Sequence, residues 1–318
     1  MKKFFTFFTF TAILSIITFF TPIISKFSFE SLYSKVFSKQ VAHTVGKELA
    51  LGKNKTLSIE NIYGNINIKT EWKQNSIILQ ATKQVSKKEN PNDTEININQ
   101  QDQQKNKNQI SIKTVYKNEK TKSPVHYELI VPNNINIILK TTNGDIKVKH
   151  LKGNITAQTD KGEIKISQVT GNIAASVTNG NIKISQSTGN IHTKTQYGNI
   201  TIQDSIQSIC AETESGFIKS SCKKIPSTGS VHLATNTGNI LLELPKSRDK
   251  INSDIKATTQ RGKLTSEHFI TLKPQTVTLD KHSWARFRRE ANGTIGSGDS
   301  TIKLCSNFGN IKILKANT

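Results

Sequence analysis

The chain has 318 residues, room for one long domain or two ordinary ones, and its 44 Lys and Arg against 23 Asp and Glu leave a formal charge of +21. Such a charge suits an anionic partner such as a phosphate-rich envelope polymer, a glycan or a lipid surface; the plainer reading is a Lys-, Asn- and Ile-heavy composition that keeps exposed strands soluble. The three cysteines, Cys210, Cys222 and Cys305, lack metal-ligand spacing and so argue against a structural zinc site, while Gly296-Ser-Gly298 is not followed by Gly-Lys-Ser/Thr and so excludes a phosphate-binding loop.

Residues 1–28 read as a signal peptide or signal anchor. Lys2 and Lys3 precede an uncharged run from Phe4 to Ile24, roughly 31 Å as a helix and enough to span a bilayer. Its length and the poor cleavage site Ser25-Lys-Phe-Ser28 favour an uncleaved anchor, whereas Thr6, Thr9, Thr11, Ser15, Thr18 and Thr21 favour a cleaved signal. No cysteine follows the run, which excludes a lipoprotein, and the leading lysines put everything after Lys26 outside the cytoplasm. In residues 29–50, Phe29, Leu32, Tyr33, Val36, Phe37 and Val41 fall at helical spacing, predicting an amphipathic spacer, or a helix lying on lipid headgroups, that fades at Gly46.

From residue 51 strands dominate. Leu57–Glu60, Asn65–Thr70, Ser76–Thr82, Thr94–Asn99, Gln109–Tyr116 and His126–Val131 alternate or are rich in β-branched residues, and Lys87–Asp93 and Gln100–Asn108 read as hairpin loops. Residues 51–132 should cap the repeat that follows.

That repeat, residues 133–244, returns a glycine, a polar residue and an isoleucine every nine positions, starting at Gly144-Asp-Ile and recurring at Gly153, Gly162, Gly171, Gly180, Gly189 and Gly198. The glycine supplies a turn, and the alternation after it a short strand with one face inward. Two positions beyond each isoleucine, Val148, Ile166, Ile184 and Ile202 interleave with Ala157, Ala175, Thr193 and Ala211, so the true period is 18. Stacking like on like then predicts an all-β parallel solenoid, a β-helix of about six coils, with an N-terminal hydrophobic helix and β-rich caps. A four-residue insertion precedes Gly229 and Gly238.

Stacking would also gather Lys147, Lys165, Lys183 and, past Thr201, Lys219 into a cationic stripe for an anionic surface, or simply into a solubilising face. Asp145 and Glu163 would meet on adjacent coils; a regular exposed turn offers them neither a catalytic cleft nor enough oxygens for calcium, and the asparagines at the same position form a hydrogen-bonding ladder. The seven histidines are scattered, without metal or nucleophile spacing to a cysteine or carboxylate. Cys210 and Cys222 could pair in an oxidising compartment, with free thiols the default. No cofactor, metal or nucleic-acid partner is expected.

In residues 245–318 the pattern returns singly at Gly262-Lys-Leu and Gly309-Asn-Ile. Between them Trp284, Arg286, Phe287, Arg288 and Arg289 form a basic aromatic cluster suited to phosphate or glycan contact, or to a solvated cap.

Several of these residues form a set. Leu57-Ser-Ile-Glu-Asn-Ile-Tyr-Gly-Asn-Ile-Asn-Ile, Trp72, Val131-Pro132, Thr141-Thr-Asn-Gly-Asp-Ile, and Gly296-Ser-Gly-Asp-Ser-Thr-Ile with Gly309-Asn-Ile resemble the bacterial putative-adhesin proteins with β-strand repeats, over about Leu57 to Leu314. The resemblance implies a parallel β-helix-like fold with export or membrane association, and offers no catalytic residues. The leading expectation is a non-enzymatic extracytoplasmic protein of the cell envelope that binds surfaces or partners, including another envelope protein. A membrane-anchored structural or signalling accessory comes second, and a polysaccharide-active enzyme a distant third.

Overall fold

The computed structural model describes residues 40–50, 55–71, 76–86, 90–100, 109–118, 123–273 and 289–316. The Phe4–Ile24 run, the apolar positions from Phe29 to Phe37, Trp72 and the cluster from Trp284 to Arg288 lie outside the described residues. Among those described, no helix is long and apolar enough to cross a membrane.

The chain before the repeat forms β1 (Gln40–Ala50), β2 (Thr56–Glu60), β3 (Ile66–Glu71), β4 (Ser76–Ser86), β5 (Thr94–Gln100), β6 (Gln109–Tyr116) and β7 (Val125–Pro132). The strand β1 replaces the end of the expected amphipathic spacer. It pairs with β4 from Gln40↔Ser86 to Ala50↔Ser76, and a full antiparallel ladder outweighs a helical spacing carried only by sequence. β5 and β6 are a hairpin as expected, but the connection after β4 crosses from one sheet to the other and is not a hairpin loop.

The repeat supplies β8 (Asn136–Asn143), β9 (Ile146–Lys149), β10 (Ile155–Lys161), β11 (Ile164–Ser167), β12 (Ile173–Asn179), β13 (Ile182–Ser185), β14 (Ile191–Tyr197), β15 (Ile200–Ser205), β16 (Ile209–Ser215), β17 (Ile218–Cys222), β18 (Ser230–Thr237) and β19 (Ile240–Leu244). Odd-numbered strands of this set join a first sheet and even-numbered ones a second, each pairing in parallel with its counterpart one coil away. Ile164 lies opposite Ile146 and Ile182, and Ile173 opposite Ile155 and Ile191, so the register is 18 residues and like packs on like. All five of these repeat isoleucines from Ile155 to Ile191 are buried. Between the sheets runs one continuous hydrophobic core, with the larger Val148, Ile166, Ile184 and Ile202 in the first sheet and the smaller Ala157, Ala175, Thr193 and Ala211 in the second.

The turns explain the glycines. At Gly162 the backbone has φ +147°, and a Cβ there would stand 2.2 Å from the carbonyl oxygen of Gly144 one coil back. Both the conformation and the contact exclude a side chain. The asparagine ladder forms as expected: the Oδ1 atoms of Asn136, Asn154 and Asn172 accept from the N–H groups of Asn154, Asn172 and Asn190, at 3.0, 3.0 and 3.1 Å. A second ladder went unread in the sequence. Thr159, Thr195, Thr213 and Thr235 sit three residues before a glycine, point inward, and donate to the carbonyl oxygens of Gly144, Gly180, Gly198 and Gly216 at 3.0 to 3.2 Å. Each hydroxyl thereby satisfies a carbonyl that glycine packing leaves facing the core. The opposite corner carries non-glycine residues in the left-handed region, His150, Gln168, Gln186 and Asp204, with φ between 51° and 60°.

At both ends the stack departs from chain order. After the repeat come β20 (Ser253–Arg261), β21 (Leu264–Ser266), β22 (Thr271–Leu272), β23 (Glu290–Ile295), β24 (Ser300–Phe308) and β25 (Ile311–Lys315). The last pair, β24 and β25, slots between the β18/β19 coil and the earlier β20/β21 coil. The two single glycine triplets of the C-terminal region are thus adjacent, with Gly309 on Gly238 and Gly262 on Gly309. Likewise β2/β3 lies between β8/β9 and β6/β7. Antiparallel strands close the parallel stack: β4 and β1 on the first sheet and β5 on the second at one end, and β23 and β22 on the second sheet at the other. Where the N-terminal coils meet, Asn61 donates to the carbonyls of Gly64 and Val125 and accepts from Thr114, whose hydroxyl meets Tyr127 at 2.6 Å. Burial pushes the Tyr127 phenol up to about 12 against the hydrogen bond to Thr114, so this internal network stays neutral.

Candidate functional site

The lysines of the repeat do align. Lys147 pairs in register with Lys165, Lys165 with Lys183, Lys183 with Thr201, and Thr201 with Lys219, all on the outward positions of β9, β11, β13, β15 and β17. Inward neighbours on both sides of each are core residues, so alternation alone turns the row to solvent. Cations one strand spacing apart, about 4.8 Å, repel one another.

Glu163 relieves this repulsion in the middle of the row. Its carboxylate bridges Lys165 at 2.6 Å and Lys183 at 2.9 Å. Burial raises its pKa, but the hydrogen bonds from Lys165 and Lys183 outweigh that, and its carboxyl is held below the usual carboxylate range. Glu243 pairs with Lys219 at 2.8 Å. Among the described residues Lys147 has no ion-pair partner. The stripe is therefore a charge network with a cationic surplus rather than a bare line of lysines. The sequence concealed Glu243, which reaches Lys219 across one coil although 24 positions separate them.

At its Lys219 end the row runs into a cleft of about 890 Å³. Local irregularities border it: the register slips between Ile202 and Ser205, Asp204 is left-handed, and the insertion before Gly229 follows Cys222. Lys219, Lys223, Lys250 and Lys315 line it with Asp204, Glu243 and Glu267, one surplus positive charge. Glu267 is anchored by accepting from the backbone N–H of Lys315 at 2.8 Å. Cys222 also borders the cleft, yet burial pushes its thiol up to about 11 despite hydrogen bonds from Ser205 and Ser220, so at neutral pH it is not a nucleophile.

The other candidate residues do not join this site. Asp145 accepts from the backbone N–H of Glu163 at 2.8 Å as one rung of the turn ladder, which separates the roles of the two carboxylates. Arg289 is exposed just before β23, at the far end of the second sheet; Arg286 and Arg288 lie outside the described residues. Cys210 and Cys222 are free thiols in this structure, the default expected from the sequence. Cys210 faces out of the second sheet, 3.9 Å from Glu212, whereas Cys222 faces the core at the end of a strand of the first.

The clamp has a testable pH signature. A carboxyl depressed in the folded state contributes stability that is complete above its unfolded pKa, about 4.3, and lost as pH falls through its lower folded value. Glu163→Gln should cost about 1 kcal/mol near pH 7, since both lysines are half-exposed and solvent screens the pairs. Chemical denaturation of parent and variant between pH 7 and 2 should show this gap closing on the acid side. A gap independent of pH would mean the carboxylate charge plays no part.

No curated protein matches the chain. Solved structures similar to it include a putative cell adhesion protein from Clostridium sporogenes, at 12% identity, covering 87% of this chain and 100% of that one with a TM-score of 0.30. Others are a putative adhesin from Bacteroides fragilis, at 12% identity over 86% and 97% with a TM-score of 0.34, and one from Parabacteroides distasonis, at 8% identity over 86% and 97% with a TM-score of 0.30. The sequence profile of Toastrack DUF4097 matches residues 54–314, which span the repeat and both sets of flanking coils. On that match, which takes in well over half of its residues, this chain belongs to the Toastrack DUF4097 family.

Proposed function

We propose that the protein is a non-enzymatic binding protein of the cell envelope that presents the outer face of its first sheet to an anionic polymer or lipid surface. The observation that carries this reading is the in-register row Lys147, Lys165, Lys183, Thr201, Lys219, which ends in a lysine-lined cleft. Phosphate or carboxylate groups repeated along a polymer would meet cations whose Cα spacing is fixed by the backbone ladder, so that only the lysine side chains have to be ordered on binding. The surplus of +21 over the whole chain adds long-range attraction. Export is part of the proposal and rests on Lys2, Lys3 and the Phe4–Ile24 run. Protease added to intact spheroplasts should digest the chain beyond Lys26, and full protection would overturn it.

The binding test uses vesicles of anionic phospholipid and a purified phosphate-rich envelope polymer, at low and moderate salt. A cation near an anionic surface contributes about 1 kcal/mol, and three of the four lysines are partly neutralised. Replacing all four with Gln should therefore weaken binding by at least ~10-fold. Glu163→Gln, which frees two lysines, should strengthen it several-fold, and salt should weaken the parent more than the quadruple variant. If the quadruple variant binds like the parent, the row serves solubility only.

A further inference from the structure

The cleft at the Lys219 end of the row gathers more charge than it pairs. Lys219 is taken up by Glu243 at 2.8 Å, which leaves Lys223, Lys250 and Lys315 with Asp204 and Glu267 around about 890 Å³. Among the described residues, none of these five makes an ion pair. Their backbones are fixed on five separate segments. The N–H of Asp204 donates to the Ser221 hydroxyl at 3.0 Å, that of Lys223 to the Ser205 carbonyl at 3.0 Å, and that of Glu267 to the Ile313 carbonyl at 2.9 Å. The carbonyl of Lys250 accepts from Ile225 at 3.1 Å, and Lys315 is tied to Glu267 by its own N–H. Charges of both signs that do not neutralise one another keep their attraction for a ligand. The same walls carry the amide of Gln203 and the hydroxyl of Ser221, with Pro245 and Leu314 as apolar surface.

We propose that this cleft takes one sugar-sized unit carrying both a phosphomonoester and a primary ammonium, a phosphorylated amino sugar. The charges close. Three ammoniums against two carboxylates leave a single positive charge, and a phosphomonoester of about −2 at neutral pH with one ammonium supplies about one negative charge. A phosphodiester bearing the same ammonium would be neutral and leave the surplus uncompensated, so the balance selects an end unit of a polymer over an internal one. Lys223, Lys250 and Lys315 meet the phosphate with charge-assisted hydrogen bonds, and Asp204 and Glu267 meet the ammonium. Gln203 and Ser221 serve the sugar hydroxyls, while Pro245 and Leu314 cover C–H surface of the ring. The volume also suits such a unit, since small-ligand sites span about 300 to 1,000 Å³. The proposal rests on the reading of the first sheet as an anion-binding face and narrows it: the row holds the polymer by charge, and the cleft selects its terminal unit.

The test is calorimetric titration of the full chain at low salt with glucosamine 6-phosphate, glucose 6-phosphate, which lacks the ammonium, and glucosamine, which lacks the phosphate. One equivalent of glucosamine 6-phosphate should bind, and each of the others at least ~10-fold more weakly. Replacing Lys223, Lys250 and Lys315 together with Gln should weaken both phosphate ligands at least ~10-fold. The same charge change on the outer face of the second sheet, Lys194→Gln with Lys256→Gln and Lys303→Gln, should leave affinity at the parental value. Asp204→Asn with Glu267→Gln should erase the preference for the amino sugar while glucose 6-phosphate binds at least as tightly as to the parent, an outcome that damage to the fold would not give. Asparagine accepts the left-handed backbone at position 204, and glutamine keeps an oxygen for the N–H of Lys315. Absence of saturable binding in the parent, equal parental affinity for the amino and hydroxyl sugars, or an undiminished preference in the carboxylate variant would overturn the site. Vesicle and polymer binding without sugar phosphate binding would overturn the cleft and leave the row standing, whereas sugar phosphate binding by a chain that ignores both surfaces would overturn the row alone.

Discussion

Gly180→Ala is expected to unfold the middle of the solenoid, at a cost of about 4 kcal/mol or more. A Cβ at position 180 would sit 1.9 Å from the carbonyl oxygen of Gly162, where the backbone also holds φ at +151°. That carbonyl cannot step aside cheaply. Gly162 is itself tied to the next coil through its N–H and the carbonyl of Asn179, and Gly180 binds forward in the same way to Tyr197. The added methyl therefore has to separate two coils whose strands are hydrogen-bonded along both sheets, breaking ladder bonds on each side of the wedge. Gly46→Ala is the control: a Cβ there meets nothing within 4 Å, and the change should stay within about 0.5 kcal/mol. Urea denaturation compares the two, with hydrogen exchange locating the loss. Equal stability of the two variants would show that the stack is not held at glycine–carbonyl contact.

Ile182→Ala should destabilise by roughly 2 to 5 kcal/mol, the range for truncating a buried aliphatic side chain. Ile182 is fully buried and sits in register between Ile164 and Ile200, which are also fully buried. The strand ladder fixes the spacing of these neighbours, so they cannot collapse into the space that the lost atoms leave, and the upper part of the range is expected. Coils contact only their neighbours, and the loss should therefore reach amides on β11, β13 and β15 before those of the terminal coils. Uniform loss of protection along the whole chain would show instead that the solenoid unfolds as one unit.

The repeat was legible because it is redundant. Each coil states the same instruction: glycine where the backbone approaches a neighbouring carbonyl, asparagine where the next coil offers an N–H, and isoleucine where the side chain turns inward. The 18-residue register followed from Val148, Ile166, Ile184 and Ile202 alternating with Ala157, Ala175, Thr193 and Ala211, because a parallel stack buries like against like at least strain. The threonine ladder was equally present in the sequence, three residues before Gly162, Gly198 and Gly216. It escaped notice because Val177 breaks it and because a hydroxyl inside a core looks unfavourable until its carbonyl acceptor is in view.

By itself, then, the sequence determined the two-sheet coil, its period, the inward and outward faces and the alignment of Lys147, Lys165 and Lys183, all of which follow from local periodicity. The tertiary structure decided the rest, because a period does not name a neighbour. Any coil end offers the same free N–H and carbonyl groups, so nothing local says that β24 and β25 enter between β18/β19 and β20/β21, or that β1 pairs with β4. The same holds for the sites. Glu243 closing on Lys219 and the cleft where the register slips after Ile202 join residues whose separations differ, once an insertion has changed the step from 18 to 22. Side chains from separate coils become neighbours only through hydrogen bonding between strands, and that distance in space is not written in distance along the chain.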